Sequence, residues 1–153
     1  MIRATKKEDL PEVFEVLKQA WLDTYVDLGL DQRAILNMFN DKDAWVAGFE
    51  KYVDSGSALT YVAIENDRII GIIFGRKGAI QSLYLRSDFR KKGHGSKLLE
   101  AFIENGLPVH LHVLECNEAA QQFYKKNGFR PTGEFSFFAL GDEKYKDLEF
   151  IKE

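Results

Sequence analysis

A glycine-rich turn is the segment of this chain whose residue types and spacing most clearly suggest binding chemistry. It lies between a predicted strand and a predicted helix, so unpaired backbone N–H groups and the positive end of the helix dipole converge there. Its two glycines allow an anion to approach the backbone, and the neighbouring cations make a diphosphate a natural guest. The turn consists of Arg90, Lys91, Lys92, Gly93, His94, Gly95 and Ser96.

Two interpretations of this turn stay open when it is taken alone: a phosphate-binding loop, and a tight turn whose charges are simply solvated. The turn lacks the Gly-Lys-Ser/Thr ending of a P-loop and the three glycines of a dinucleotide-binding fold. Its strand–turn–helix context favours phosphate binding without deciding it.

A second polar constellation follows the next predicted strand, over residues 117–129. Asn117 is a good N-cap for a helix, and Gly128 suits the position just after the helix end. Ala120, Phe123 and Tyr124 share one face of that helix. Taken alone, Tyr124 reads as an ordinary half-buried aromatic residue, which is its commonest role.

The N-terminal part of the chain is predicted to be mainly helical. A short strand at Ile2–Ala4 precedes Thr5 and Glu8, whose spacing predicts a capping box. Asp31 is predicted to cap a second, short helix, and a third begins near Asp41. The apolar face of the first helix comprises Leu10, Val13, Phe14, Leu17 and Trp21.

The remainder predicts a mixed α/β fold. Three consecutive β-rich runs, at 59–64, 68–74 and 79–85, indicate an antiparallel meander. The glycine-rich turn, a helix and a strand at Pro108–Leu114 complete a βαβ unit, so part of the sheet should be parallel. Residues 135–151 read as a closing hairpin.

Length and composition restrict the class of protein. The 153 residues fit one domain, 1–153, and 45% apolar with 29% charged residues is typical of a globular protein. With Cys116 the only cysteine and three histidines, no disulfide and no metal site is expected. A net charge of −3 argues against nucleic-acid binding, and no apolar run is long enough for a membrane span. We see no targeting segment, so a cytoplasmic protein is expected.

The two motifs together resemble the GNAT (Gcn5-related N-acetyltransferase) superfamily, and the resemblance covers nearly the whole chain. It implies a central mixed sheet flanked by helices, and transfer of an acetyl group from acetyl-CoA to a primary amine of a small molecule or peptide in a ternary complex. The matching residues are Leu83, Tyr84 and Leu85 on the strand, Arg90, Gly93 and Gly95 in the turn, and Asn117, Ala120, Phe123, Tyr124, Gly128 and Phe129 in the second motif.

The resemblance also implies roles for these positions. The backbone of residues 83–85 would pair with the pantetheine arm, and one N–H there would polarise the thioester carbonyl. Residues 91–96 would hold the pyrophosphate, chiefly through backbone N–H groups. Asn117 would hydrogen-bond the pantetheine, and Tyr124 would protonate the departing CoA thiolate.

An alkyl amine is mostly protonated at neutral pH, so a base is also expected. His112 is the first candidate, because it occupies the position at which some ribosomal-protein N-acetyltransferases of this superfamily carry a glutamate. His110 shares its strand face and could replace it, and a water chain is a third possibility. His94 is expected to face solvent, and Cys116 is interpreted as a packing residue.

In this superfamily the acceptor site is bounded by the first helices and the C-terminal hairpin, here residues 21–30 and 134–145. The aromatic candidates are Trp21, Tyr25, Phe135, Phe137 and Phe138, and the acidic ones are Asp23, Asp27 and Glu134. At least one of Phe135 and Phe137 is expected in the core. The acceptor and the preferred acyl length do not follow from the sequence.

The leading hypothesis is therefore an active acetyltransferase, and the alternative is a non-catalytic acyl-CoA-binding module. Many members of the family dimerise, so the resemblance is compatible with a homodimer. Nucleic-acid binding through Arg86–Lys97 is the weakest of the alternatives, because aromatic residues are not interleaved with those cations.

Overall fold

A computed structural model describes all 153 residues, as seven strands and five helices joined by turns. The strands are β1 (Ile2–Ala4), β2 (Ala58–Glu65), β3 (Arg68–Arg76), β4 (Ala79–Leu85), β5 (Val109–Leu114), β6 (Arg130–Leu140) and β7 (Glu143–Lys152). The helices are α1 (Leu10–Tyr25), α2 (Gln32–Met38), α3 (Lys42–Asp54), α4 (His94–Ile103) and α5 (Glu118–Lys126).

The seven strands form one mixed sheet in the order β1-β2-β3-β4-β5-β7-β6. Strands β1 to β4 are antiparallel, β4 and β5 are parallel, and β7 lies between β5 and β6. The predicted meander, βαβ unit and C-terminal hairpin are therefore confirmed. The order within the hairpin, with the last strand inserted beside β5, was not predicted.

Helices cover both faces of the sheet, and each face has its own apolar core. On one face α1 to α3 bury Phe14, Leu17 and Phe49 against β2 and β3. On the other, α4 and α5 bury Phe102 and Tyr124 against the opposite side of the same strands and β5. Because β3 is covered on both faces, seven consecutive residues from Ile69 to Gly75 are buried. No helix is long and apolar enough to cross a membrane.

Most of the predicted helix caps are confirmed. The Asp31 carboxylate accepts a hydrogen bond from the Arg33 N–H, and the Asn117 side chain accepts one from the Ala120 N–H. The capping box at the start of the first helix is wrong. The Thr5 hydroxyl is instead buried and hydrogen-bonded to the Thr60 hydroxyl, 2.8 Å away. The carboxylate that accepts a backbone N–H at this helix start is that of Asp9 rather than Glu8, and the donor is the Lys6 N–H.

The C-terminal hairpin corrects a second expectation. Neither Phe135 nor Phe137 is in the core: their exposed fractions are 54% and 62%. Both lie on β6, which is an edge strand, and their rings pack on each other instead of on a helix. Strand alternation predicted at least one of the two rings in the core, but it could not show that their side of β6 is uncovered.

Candidate active site

Strands β4 and β5 separate after a single point of contact. They pair only at Ala79 and His110, at the start of both strands, and then diverge. A bulge in β4 at Gln81 shifts its register against β3, and at Gly75, opposite this bulge, an added Cβ would lie 2.1 Å from the Ala79 carbonyl oxygen. The sheet therefore has a gap in its middle, open towards the carboxyl end of β4.

Backbone groups of β4 are directed into this gap. The Arg86 N–H donates to the Ile70 carbonyl in β3, and successive residues of a strand alternate in direction, so Tyr84 also faces β3. Leu83 and Leu85 consequently present their N–H and C=O groups to the side of β5, which pairs with neither. Two residues of an inner strand thus offer the hydrogen bonds of an edge strand.

The glycine-rich turn has a comparable supply of free donors. None of the six backbone N–H groups of residues 91–96 donates a hydrogen bond to a protein acceptor. Lys91 and Gly93 both have positive φ, at 63° and 90°, which folds the turn tightly before α4 begins at His94. Such a concave run of N–H groups at a helix N-terminus is suited to an anion.

The turn, the end of β4 and α5 together line a groove of about 550 Å³. Eleven of the predicted site residues were named for donor binding, and nine of these line it. They are Leu83, Tyr84, Leu85, Arg90, Lys91, Gly93, Gly95, Ser96 and Asn117. The predicted acid Tyr124 lines the same groove. Phe123 on α5 packs against Gly95, where an added Cβ would lie 3.1 Å from the ring.

Two polar lining residues were not predicted. Thr24, at the end of α1, accepts a hydrogen bond of 2.8 Å from the Arg90 guanidinium, and Lys126 contributes a further cation from α5. Both are distant from the turn in sequence, and no local pattern marks either of them.

The side chains of two predicted residues turn away from the groove. The Lys92 ammonium lies 5.4 Å from the centre of the Phe89 ring. His94 was expected to face solvent, but its side chain is only 12% exposed and its Nε2 lies 3.5 Å from the Glu65 carboxylate. For these two residues the predicted role therefore rests on the backbone N–H group alone.

A second cavity, of about 290 Å³, lies on the α1 side of the gap. The chamber adjoins the groove, because five residues line both spaces. These shared residues are Leu83, Tyr84, Asn117, Ala120 and Tyr124. The gap between β4 and β5 therefore connects the groove beside the glycine-rich turn with the smaller chamber.

Three tyrosines stand at this passage. The Tyr25 and Tyr84 hydroxyls are 3.0 Å apart, and burial raises the pKa of both phenols. Burial raises the pKa of the Tyr124 phenol far above its ordinary value as well, with a further contribution from Tyr25. All three phenols therefore hold their protons at neutral pH, and Tyr124 has one available for a developing anion.

His112 lines the smaller chamber, whereas His110 does not. The two imidazoles flank Glu149 on β7, which is the register partner of His112. The nitrogen-to-oxygen distances to Glu149 are 4.0 Å from His112 and 3.8 Å from His110. These are ion-pair distances and are longer than hydrogen bonds. The predicted common face of the two histidines is confirmed, with a carboxylate that was not predicted.

The acidic residue of the chamber is Asp147, which was also not predicted. It lies opposite Leu114 in the β5–β7 pairing, and burial raises the pKa of its carboxyl group. Asp23, Asp27 and Glu134, which were the acidic candidates, do not line the chamber. Once β7 is placed beside β5, alternation along β7 puts Asp147 on the face of His112, but the sequence does not specify that placement.

The aromatic candidates divide in the same way. Trp21, Tyr25 and Phe138 line the chamber, and their rings form a cluster in which Trp21 lies 4.4 Å from Tyr25 and 5.8 Å from Phe138. Phe135 and Phe137 do not line it. Cys116, expected to pack, is exposed. No group of three or more His, Cys, Asp or Glu side chains is arranged to hold a metal ion.

Comparisons with known proteins agree with this arrangement. The family model described as an acetyltransferase (GNAT) domain matches residues 56–131. An L-methionine sulfoximine/L-methionine sulfone acetyltransferase from Pseudomonas aeruginosa is 27% identical over 99% of this chain and 92% of its own length.

Two solved structures share the fold. A PaiA N-acetyltransferase from Thermoplasma acidophilum, in complex with coenzyme A, superposes with a TM-score of 0.80 at 22% identity, over 100% of this chain and 98% of its own. A GCN5-related N-acetyltransferase from Rhodopseudomonas palustris gives 0.79 at 17% identity, over 100% and 94%. The chain belongs to the GNAT superfamily, and it is an N-acetyltransferase.

Proposed function

We propose that this protein, as one domain spanning 1–153, transfers the acetyl group of acetyl-CoA directly to a primary amine bound in the same complex. The observation that carries the proposal is the junction of two spaces at Leu83, Tyr84, Asn117, Ala120 and Tyr124. The groove offers backbone donors to a phosphorylated ligand, and the chamber offers a carboxylate and an imidazole to an amine. A group-transfer enzyme needs two such spaces with one reacting point between them.

The donor is held mainly by the backbone. Its pantetheine arm pairs with Leu83 and Leu85, whose N–H and C=O groups face the gap, and its pyrophosphate accepts from the N–H groups of residues 91–96. Arg90 and Lys126 add positive charge. The Asn117 Oδ1 is occupied by its helix cap, so its amide nitrogen is the group left for the pantetheine.

At the junction the amine nitrogen attacks the thioester carbonyl carbon, the carbon–sulfur bond breaks, and the sulfur takes a proton from Tyr124. Leu83 is the residue with a gap-facing N–H that lines both spaces, so its N–H is placed to stabilise the oxyanion. The amine proton passes to His112, directly or through water. His110 is the weaker alternative because it lies outside the chamber.

The acceptor of the Pseudomonas relative is an amino-acid derivative, and the chamber here is also sized for a small molecule. At about 290 Å³ it lies at the lower end of ligand pockets, roughly 300–1,000 Å³. A non-catalytic acyl-CoA-binding module, the alternative that the sequence left open, would bind the donor without amine-dependent thiol release. The homodimer and the cytoplasmic location stay predictions.

Acetyl-CoA is expected to raise the Tm of the protein, with CoA acting similarly and ATP not. At one hundred times its Kd a ligand adds about 2.7 kcal/mol, which for a chain of this size corresponds to roughly 5–11 °C. The measurement is thermal unfolding with each of the three ligands. No shift at millimolar acetyl-CoA would contradict both the enzyme and the binding-module hypotheses for this groove.

Replacing His112 with alanine is expected to lower kcat about a hundredfold, the lower part of the range for general base catalysis. Steady-state kinetics with acetyl-CoA and an amine measure kcat for this variant and for its control. His110→Ala is the matched control, since it removes an imidazole from the same strand and the same Glu149 contact. Equal kcat values for the two variants would transfer the role to a water chain.

A further inference from the structure

The smaller chamber has an unusual charge composition for a site that must bind a polar molecule. Of its 16 lining residues Asp147 is the only carboxylate, His112 is the only imidazole, and none is lysine or arginine. The remaining polar groups are hydroxyls and amides. A ligand that enters this chamber therefore meets one fixed negative charge and no permanent positive charge.

Asp147 has no hydrogen-bond or ion-pair partner within the protein, although His112 lies near enough for its charge to act on the carboxylate. Its carboxylate makes no hydrogen bond with a side chain or backbone group and no ion pair, although the neighbouring Glu149 lies within 4.0 Å of two imidazoles. It is half-buried among apolar and aromatic groups on β7, directly opposite Leu114. A half-buried carboxylate without a cation is costly unless a ligand supplies one.

Aromatic rings line the same chamber as Asp147. Trp21 is the centre of the cluster, with its ring 5.9 Å from Tyr84 and 5.8 Å from Phe138. Faces of tryptophan and tyrosine attract ammonium groups, and they also cover the apolar skeleton of a small amine. The carboxylate and the rings therefore favour the same ligand class.

We infer that the acceptor is a small cationic amine without a carboxylate group, and that Asp147 selects it by binding the ammonium before His112 removes a proton. This inference rests on the proposed function, because it assigns the chamber to the acceptor. An α-amino acid is disfavoured, since its carboxylate would be placed near Asp147 with no guanidinium or ammonium to neutralise it. Repulsion of a competitor thus adds to the specificity that attraction for the substrate provides.

The test uses acceptor pairs that differ only in a carboxylate: 2-phenylethylamine with L-phenylalanine, and 1,5-diaminopentane with L-lysine. Release of the CoA thiol is measured with each for the unmodified protein, Asp147→Asn and Asp142→Asn. We expect kcat/KM for the amine of at least one pair to exceed that for the amino acid about a hundredfold. In Asp147→Asn this ratio should fall at least tenfold. Asp142 is exposed in the hairpin turn and lines neither the chamber nor the groove, so its variant should keep the ratio.

Three results would overturn the inference: amino acids used as well as the matched amines, an unchanged ratio in Asp147→Asn, or an equal fall in Asp142→Asn. If no acceptor is turned over, calorimetry measures the binding of each amine and each amino acid to the CoA-loaded protein. Binding of either amine in preference to its amino acid, lost in Asp147→Asn, supports the inference, and any other binding result overturns it. The thermal shift with acetyl-CoA is a separate readout, so a failure of the donor site is distinguishable from a failure of this selection.

Discussion

Replacing Tyr124 with phenylalanine is expected to lower kcat about a hundredfold while leaving the Kd for acetyl-CoA unchanged. General acid catalysis typically contributes 10²- to 10⁴-fold, and the phenol lies at the junction of the groove and the chamber. Because burial raises the pKa of this phenol, its proton is retained until the thiolate forms. The ring itself stays in place and keeps its packing against Phe123 and Phe129.

The matched control is Tyr61→Phe. Tyr61 also loses a hydroxyl, one that accepts a hydrogen bond from Asn105, but it lines neither the groove nor the chamber. Steady-state kinetics and a direct acetyl-CoA titration of both variants separate kcat from donor affinity. If Tyr124→Phe has the same kcat as Tyr61→Phe, the Tyr124 hydroxyl is not the general acid.

Gly93→Asp is expected to weaken acetyl-CoA binding at least tenfold more than Gly93→Asn. Position 93 has φ of 90°, which strains any residue with a side chain, and an added Cβ there meets no atom within 4 Å. Asparagine and aspartate tolerate this conformation better than other residues and are nearly isosteric, so the two variants differ chiefly in charge. A carboxylate about 5 Å from a phosphate, at an effective dielectric constant of about 20, costs about 3 kcal/mol.

The comparison is made by titrating acetyl-CoA at low and at high salt. Salt screens exposed charges, so the difference between the variants should narrow as ionic strength rises. The Tm of both variants without ligand monitors the shared backbone strain. Equal affinity of the two variants for acetyl-CoA would show that the pyrophosphate does not bind at the glycine-rich turn.

Local patterns in the sequence predicted most of the fold. The meander, the βαβ unit and the caps at Asp31 and Asn117 follow from periodicity and from side chains that satisfy nearby backbone groups. Most of the donor groove was also predictable, because its residues lie in two short sequence motifs, the strand and turn at 83–96 and the helix at 117–126. Here the resemblance to a family added roles that spacing alone does not assign.

The remaining features depend on contacts between distant segments. The Thr5 hydroxyl, which was predicted to cap a helix, bonds to the Thr60 hydroxyl instead, and the His94 side chain lies beside the Glu65 carboxylate rather than in solvent. Asp147 enters the site because β7 inserts between β5 and β6, and a hairpin's sequence does not say which of its two strands pairs with the sheet. The acceptor chamber is built almost wholly from such contacts, which is why its acidic residue was missed.

The single pairing of Ala79 with His110 joins two parts of the sheet at one point only. One part is β1 to β4 and the other is β5 to β7, and β4 and β5 do not pair along the rest of their length. In the proposed complex, a donor arm paired with Leu83 and Leu85 supplies hydrogen bonds that β4 and β5 do not make with each other, and these bonds are lost when CoA leaves. We therefore expect the two parts of the sheet to be held together more firmly while the donor is bound than after CoA has left.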